Sequence, residues 1–186
     1  MSVLPIRVLG DPVLREETKP VDEITDELRV LVANMFETMY LAKGIGLAAP
    51  QVGRTERIAV VDVDGQKFTI INPEIVSSSS KTAKSEEGCL SIPDVYGDVE
   101  RPMSVKVRAL DIDGRDFEIE ADELLGRCLQ HEIDHLHGKL FLDYMSVLKR
   151  RSALNKWAKE KDKYPGFIRH LEDDPSLEHE HPDEEL

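Results

Sequence analysis

The chain has 186 residues, of which 40% are apolar and 33% charged, and its formal net charge is −13 at pH 7. This length and composition predict one domain with a core large enough to be stable alone. The negative charge argues against a protein that reads nucleic acid sequences, because phosphate contacts need a basic face. No apolar run approaches the roughly 20 residues that cross a bilayer, and the N-terminus lacks a secretory signal pattern. The sequence therefore predicts a cytoplasmic protein without a membrane partner.

The first half of the chain predicts a helix followed by a hairpin. Thr25 is expected to cap the helix, and apolar residues then recur at helical spacing until Gly44 stops it. Those apolar residues are Leu28, Leu31, Val32, Met35, Phe36 and Met39. Residues 58–63 and 67–71 flank Asp64-Gly65, a dipeptide typical of tight hairpin turns.

The second half predicts another hairpin and two more helices. Residues 105–111 and 117–120 have the alternation of paired strands. Helical periodicity runs from Leu124 to His137, and a third helix is expected from Ser146 to about Tyr164. Helices mixed with antiparallel hairpins predict an α+β fold, in which hairpins and sheets pack around the second helix, with an N-terminal and a C-terminal helix beside it.

One catalytic domain is expected over residues 1–164, followed by an acidic tail over residues 165–186. The tail has eight acidic residues against a single basic one, Arg169. So polar a terminus is expected to be disordered and solvated. Three histidines in the tail leave a metal-binding role open as the alternative.

The strongest local signal is His131-Glu132-Ile133-Asp134-His135, which falls on the second helix. Histidines at i and i+4 share one helix face, so both can reach one metal ion, with Glu132 beside them as a base rather than a ligand. The apolar residues of the helix lie on the same side, which directs all three side chains into the core. The alternative interpretation is a pair of core histidines with satisfied hydrogen bonds.

A hydrolytic metal site usually has three protein ligands and one open position, and the sequence offers several candidates for the third ligand. Cys89, which follows a glycine in the segment 86–93, is the favoured one. Asp143 or Glu160 would instead give a zinc metalloprotease with a carboxylate ligand. A structural metal site closed by Cys128 as the fourth ligand is the remaining alternative.

Three segments together carry a resemblance to a known family. Residues 44–51 read Gly-Ile-Gly-Leu-Ala-Ala-Pro-Gln, a run of small residues that would let the backbone lie close to a ligand. With residues 87–91 and 130–135, this run resembles, in order, the three signature motifs of the peptide deformylase family. The layout from about Pro5 to Tyr164 is similar as well, and the long helix after Ser146 resembles the subgroup that ends in a C-terminal helix.

The resemblance implies a metal-dependent hydrolase that removes the formyl group from N-formylmethionyl nascent chains and releases formate. It implies Cys89, His131 and His135 as metal ligands and Glu132 as the group that moves the proton. It assigns the oxyanion to the metal, the Gln51 amide and the Leu90 N–H. The positions implied to bind substrate are Gly44, Gly46, Glu87 and Gly88. Fe²⁺ is the favoured ion by resemblance, and Zn²⁺, Ni²⁺ or Co²⁺ suit the same ligands.

Two further expectations concern substrate and partner. Ser85 and Arg127 stand near positions where some relatives of the family place aliphatic residues that line the methionine pocket. The third helix is basic within an acidic protein, and its cations are Lys149, Arg150, Arg151, Lys156, Lys159, Lys161 and Lys163. Because the implied substrate is a nascent chain, transient ribosome contact is one interpretation of this helix, and a solvated charged face is the other.

Overall fold

The three helices begin and end within a few residues of their predicted bounds. In the computed structural model, which describes residues 2–174, α1 spans Asp26–Leu41, α2 spans Glu123–Leu136 and α3 spans Val147–Glu160. Thr25 caps α1 as predicted, since its hydroxyl accepts a hydrogen bond from the N–H of Leu28. None of the helices within the described range has the length and apolar character needed to cross a bilayer.

The strands within residues 2–174 form three antiparallel sheets, which confirms the α+β prediction. Their bounds are β1 Ile6–Arg7, β2 Gly46–Ala48, β3 Ile58–Val63, β4 Gln66–Ser78, β5 Thr82–Cys89, β6 Ile92–Pro102, β7 Ser104–Leu110, β8 Asp116–Asp122 and β9 Ile168–Arg169. The two predicted hairpins are β3–β4 and β7–β8. Asp64 and Gly65 both have positive φ, as the primed turn between β3 and β4 requires.

The largest sheet, in the order β2-β3-β4-β7-β8, has a helix packed on each face. Strand β3 shows how this is achieved. Ala59 and Val61 pack with α2, whereas Ile58 and Val60 pack with α1, because side chains alternate between the two faces of a strand. Helix α2 therefore lies on one face of the sheet, on the side of the hairpin formed by β5 and β6.

The β5–β6 hairpin has no counterpart in the sequence prediction, although it carries Cys89. Strand β5 reads Thr-Ala-Lys-Ser-Glu-Glu before Gly88, so its buried positions leave no apolar alternation to detect. Cys89 pairs with Ile92, which leaves Leu90 and Ser91 as the two residues of a tight turn. The apolar side of the hairpin packs with α3 and Phe141.

The prediction of a disordered tail from residue 165 is wrong for residues 165–174. Strand β9 pairs with β1 in the register Ile6 with Arg169, and Leu171 is buried in the core shared with α1. The count of acidic residues misleads here because one of them, Asp174, is buried in an ion pair with Arg169. Residues 175–186, which contain most of the predicted tail, lie outside the described residues.

The aromatic side chain of Trp157 packs α3 against the rest of the protein. Trp157 is buried, stacks on Tyr164 with ring centroids 5.9 Å apart, and donates from Nε1 to the Leu9 carbonyl at 3.1 Å. We expect Trp157→Ala to lower the free energy of unfolding by about 3–5 kcal/mol, measured by urea denaturation. Leu148 lies on the same helix but is 80% exposed, so Leu148→Ala should change the free energy of unfolding by no more than about 0.5 kcal/mol. Equal effects of the two substitutions would contradict this account of α3.

Candidate metal centre

Helix α2 carries three ionisable side chains into the core, as its apolar stripe predicts. His131, Glu132 and His135 are each no more than 2% exposed. Burial raises the pKa of Glu132 well above its usual range and lowers the pKa of His135 well below its own, because each charged form loses its hydration. Both carboxylate oxygens of Glu132 and the Nδ1 of His135 lack a hydrogen-bond partner within residues 2–174. A pair of core histidines with satisfied hydrogen bonds does not fit these observations.

Three donor atoms meet beside Glu132. The Sγ of Cys89 lies 3.4 Å from the Nε2 of His135, which lies 3.2 Å from the Nε2 of His131. Ligand atoms held by one tetrahedral ion at bond lengths of roughly 2.0–2.3 Å are about 3.4–3.6 Å apart. The thiolate and two imidazoles therefore fit one divalent ion, and no fourth His, Cys, Asp or Glu of the described chain joins this group.

The other candidate ligands lie elsewhere. Asp143 forms two hydrogen bonds with Arg15, at 2.7 and 3.1 Å, and accepts a third from the N–H of Leu140. Glu160 is paired with Lys163, and the Cys128 thiol is directed to the carbonyl of Ile45 at 3.6 Å. In the part of the chain that the structure describes, only Cys89, His131 and His135 come close enough to share an ion.

Glu87 fixes the orientation of the His131 ring through Nδ1, the ring nitrogen that does not face the other donors. Its Oε1 accepts a hydrogen bond from the His131 Nδ1 at 2.9 Å, which leaves the Nε2 lone pair for the ion. Arg101 donates to both oxygens of Glu87 at 2.6 and 2.9 Å, and Arg127 donates to Oε2 at 2.6 Å. Burial alone would raise the pKa of Glu87, but the hydrogen bonds from His131 and Arg101 and the positive charge of Arg101 outweigh it and hold that pKa well below its usual range. Glu87 is therefore an anion inside the protein.

The segment 44–51 contacts the site through Gly46 and Gln51. A Cβ added at Gly46 would lie 2.5 Å from the Oε1 of Glu132, so only glycine leaves room for that carboxylate. The Gln51 side chain is fully buried, and its Oε1 accepts from the N–H of Ala48 at 2.9 Å. This contact turns the Gln51 Nε2 toward the Oγ of Ser91 at 3.1 Å and the Sγ of Cys89 at 3.6 Å. Two N–H groups of one amide are thus aimed at the region beside Cys89.

The remaining predicted site residues are buried around this centre. Leu90 lies in the turn directly after Cys89. Gly88 adjoins the ring of Tyr96, which a Cβ would approach to 2.6 Å, so packing alone already requires glycine at this position. The N–H of Gly44 donates to the carbonyl of Met39 at the end of α1, which places the start of the glycine-rich segment.

One contribution to the site escapes the sequence analysis. Arg101 is 3% exposed and links Glu87 to Asp134, at 2.8 Å from the latter, yet one arginine in a polar stretch is typical of a surface position. The signal that would have found it is the cation that a buried Glu87 requires.

A groove of about 780 Å³ is lined by Ser85, Leu124 and Arg127, and Arg127 lies one helical turn before His131. Ser85 and Arg127 are the two residues that the sequence analysis places near the methionine pocket.

Comparisons with known proteins agree with the motifs in this centre. The family model described as polypeptide deformylase matches residues 3–151. A peptide deformylase of Acinetobacter baumannii is 52% identical over 159 residues, which cover 84% of this chain and 90% of that protein. A peptide deformylase of Mesorhizobium japonicum is 49% identical over 174 residues, covering 90% and 99%. The crystal structure of a peptide deformylase from Legionella pneumophila aligns with a TM-score of 0.83 at 47% identity, covering 87% of this chain and 97% of that one.

The contacts of Glu87 predict its effect on metal affinity. We expect Glu87→Gln to weaken binding of Zn²⁺ or Co²⁺ by about 10–100-fold, because a neutral amide holds the His131 ring less firmly. Competition with a chromogenic chelator measures this. The matched control is Glu86→Gln, since Glu86 is adjacent in sequence and exposed. Equal metal affinities for the two variants would contradict the role given to Glu87.

Proposed function

The chain belongs to the peptide deformylase family, and we propose that Cys89, His131 and His135 form its metal site with Glu132 as the catalytic base. As a member of this family it is a metal-dependent hydrolase that removes the N-terminal formyl group from nascent peptides. The observation that carries the site assignment is the buried Glu132 carboxylate, without a hydrogen-bond partner in the described chain, next to three donors that fit one ion. We place the catalytic domain at residues 2–174, since residues 165–174 are part of the fold.

The proton chemistry belongs to Glu132. A divalent ion, when bound, would activate water and polarise the formyl carbonyl oxygen. Glu132 accepts the proton of the attacking water at a carboxylate oxygen and later returns it to the nitrogen of the leaving amine. Its raised pKa suits both steps, because the protonated form must persist until the amine departs. The products are formate and a chain with a free N-terminal amine.

Two neutral donors stabilise the oxyanion that forms on the formyl group. One is the Gln51 Nε2, which its contacts with Ala48 and Ser91 already direct beside Cys89. The other is the N–H of Leu90, the residue after the thiolate ligand. Donors fixed in advance are effective because no reorganisation is needed as charge develops.

The substrate chain lies along the glycine-rich backbone. Gly44, Gly46 and Gly88 border it, and Glu87 contributes through His131 rather than by touching the peptide. The groove lined by Ser85, Leu124 and Arg127 is the space that we assign to the methionine side chain. Because the Arg127 guanidinium is bonded to Glu87 and to the carbonyls of Val99 and Ala83, its aliphatic stem rather than a free charge borders the groove. Since the substrates are nascent chains, we also place the enzyme in the cytoplasm.

The metal is Fe²⁺ in this proposal, with Zn²⁺, Ni²⁺ or Co²⁺ as substitutes. We expect protein purified without oxygen to release formate from a formyl-Met peptide in proportion to its bound iron, determined on the same sample. Exposure to air should lower that rate, because a thiolate beside iron is open to oxidation. Formate release that continues after complete chelation of metal would contradict the metal site.

The roles of Glu132 and Gln51 predict different losses of activity. Glu132→Ala should retain metal and lose more than about 10³-fold in kcat, since the carboxylate that exchanges the proton is removed. Gln51→Ala should lose about 10²–10³-fold, as expected for one oxyanion donor among several. Glu120→Ala, at an exposed position of strand β8, should behave as wild type. Near-normal turnover by a metal-loaded Glu132→Ala protein would refute its role as base.

We also propose that α3 contacts the ribosome. Val147 and Leu148 are 71% and 80% exposed, and Arg151, Lys156 and Lys159 on the same helix form no ion pair within residues 2–174. Unpaired cations next to exposed apolar side chains suit a phosphate-rich surface better than water alone. Neutralising these three cations with glutamine should abolish cosedimentation with 70S ribosomes at low salt.

The control for this experiment neutralises Lys19, Lys84 and Arg115, which are exposed on other elements. That variant has the same net charge as the α3 variant, so it separates a local contact from general attraction. If both variants cosediment with ribosomes to the same extent as the wild-type protein, the ribosome proposal is contradicted. The cations of α3 then form only a solvated charged face.

A further inference from the structure

The segment that follows α3 reaches back to the turn beside the metal ligands. Arg169 is buried, and its guanidinium NH1 donates to the carbonyl oxygen of Leu90 at 2.8 Å. Its Nε is paired with the buried carboxylate of Asp174. Both residues lie beyond residue 151, where the match to the family model ends.

Hydrogen bonds from Leu9, Gln51 and Arg169 reach the turn that carries Leu90, in addition to the pairing of Cys89 with Ile92 in the hairpin. The N–H of Leu9 donates to the carbonyl of Ser91 at 2.8 Å, and Gln51 donates to the Ser91 hydroxyl at 3.1 Å. Arg169 supplies the third contact, on the carbonyl of Leu90, and it is the one contact of the three made to Leu90 itself. The first two therefore fix Ser91 and leave the peptide planes around Leu90 to be set by other groups.

Fixing the Leu90 carbonyl also restricts the direction of the Leu90 N–H. The side chain of Leu90 is fully buried in the core shared with α1, so rotation of the residue as a whole is blocked. The remaining freedom is a concerted tilt of the two peptide planes that flank Leu90, and a hydrogen bond on the carbonyl oxygen opposes that tilt. A guanidinium is suited to this position because its planar fork contacts Leu90 and Asp174 at once.

We propose that Arg169 is a positioning residue for deformylation, which directs the Leu90 N–H at the oxyanion by holding the Leu90 carbonyl. The inference rests on the proposed function, in which the Leu90 N–H is an oxyanion donor. Asp174 keeps the Arg169 charge neutralised, so the effect of Arg169 on the reaction passes through geometry and not through an added positive charge.

The test compares two variants that differ only at residue 169 and so in the contact with Leu90. Asp174→Asn keeps Arg169, whereas Arg169→Met combined with Asp174→Asn removes the donor without leaving a buried carboxylate unpaired. On a formyl-Met peptide, the double variant should have a kcat about tenfold below that of Asp174→Asn, because small misplacements of catalytic groups are costly. KM and metal content should be equal in the two, and Arg169→Lys should recover part of the lost kcat.

A control on the same segment separates positioning from loss of stability. Phe167→Ala removes the ring that adjoins Gly10, and it should lower Tm while kcat stays at the wild-type value. If the Met–Asn pair does not fold, Arg169→Gln with Asp174→Asn retains a polar pair at the two positions and takes its place.

The outcomes distinguish this inference from the function on which it rests. Absence of formate release by the metal-loaded wild-type enzyme would remove the proposed function itself. An active wild type with equal kcat in the double variant and in Asp174→Asn would overturn the role of Arg169 alone. A loss of kcat that Phe167→Ala reproduces, or that parallels loss of metal, would reduce Arg169 to a structural residue.

Discussion

The buried carboxylate of Glu87 is the group on which the geometry of the centre depends. It accepts hydrogen bonds from His131 on α2, from Arg101 on β6 and from Arg127 one turn earlier on α2. Because Glu87 lies two residues before Cys89, the contact that orients one imidazole also fixes the strand that delivers the thiolate. Removing water from an anion is costly unless it is paired and hydrogen-bonded, and two guanidinium groups meet that cost here. The hairpin and the helix are thereby locked in the register that brings the three donors together.

The two buried glutamates of the centre have opposite environments, and their chemistry differs accordingly. Glu87 is surrounded by donors and holds its negative charge, whereas Glu132 has no hydrogen-bond partner in the described chain and has a pKa raised by burial and by the nearby Glu87 charge. Pairs of titratable groups whose surroundings push their pKa values apart are typical of acid–base catalysis. One carboxylate orients and the other transfers a proton, although both arise from similar acidic stretches of sequence.

Much of this arrangement could be predicted because it depends on local periodicity. The spacing of His131 and His135 determines a shared helix face, and the Asp64-Gly65 turn determines a hairpin, whatever the rest of the chain does. The β5–β6 hairpin could not be predicted, because strand β5 has no apolar alternation and its Glu87 is buried through ion pairs. Arg101 was missed because its partners, Glu87 and Asp134, are distant in sequence, so no local pattern indicates that it is buried. Residues 165–174 look like a solvated tail until Asp174 is seen to be paired with Arg169.

The pairing of β9 with β1 places residues 6–7 beside residues 168–169. These residues are among the first and the last of the described chain to be synthesised. Leu9 can engage the turn at Ser91 as soon as that turn exists, whereas Arg169 and Asp174 are among the last described residues to be translated. A truncated chain that stops after α3 would contain all three metal ligands, the general base and Gln51. It would lack the contact between Arg169 and the Leu90 carbonyl. In the proposed mechanism, a chain that ends after α3 could therefore bind metal and yet lack the contact that directs the Leu90 N–H at the oxyanion.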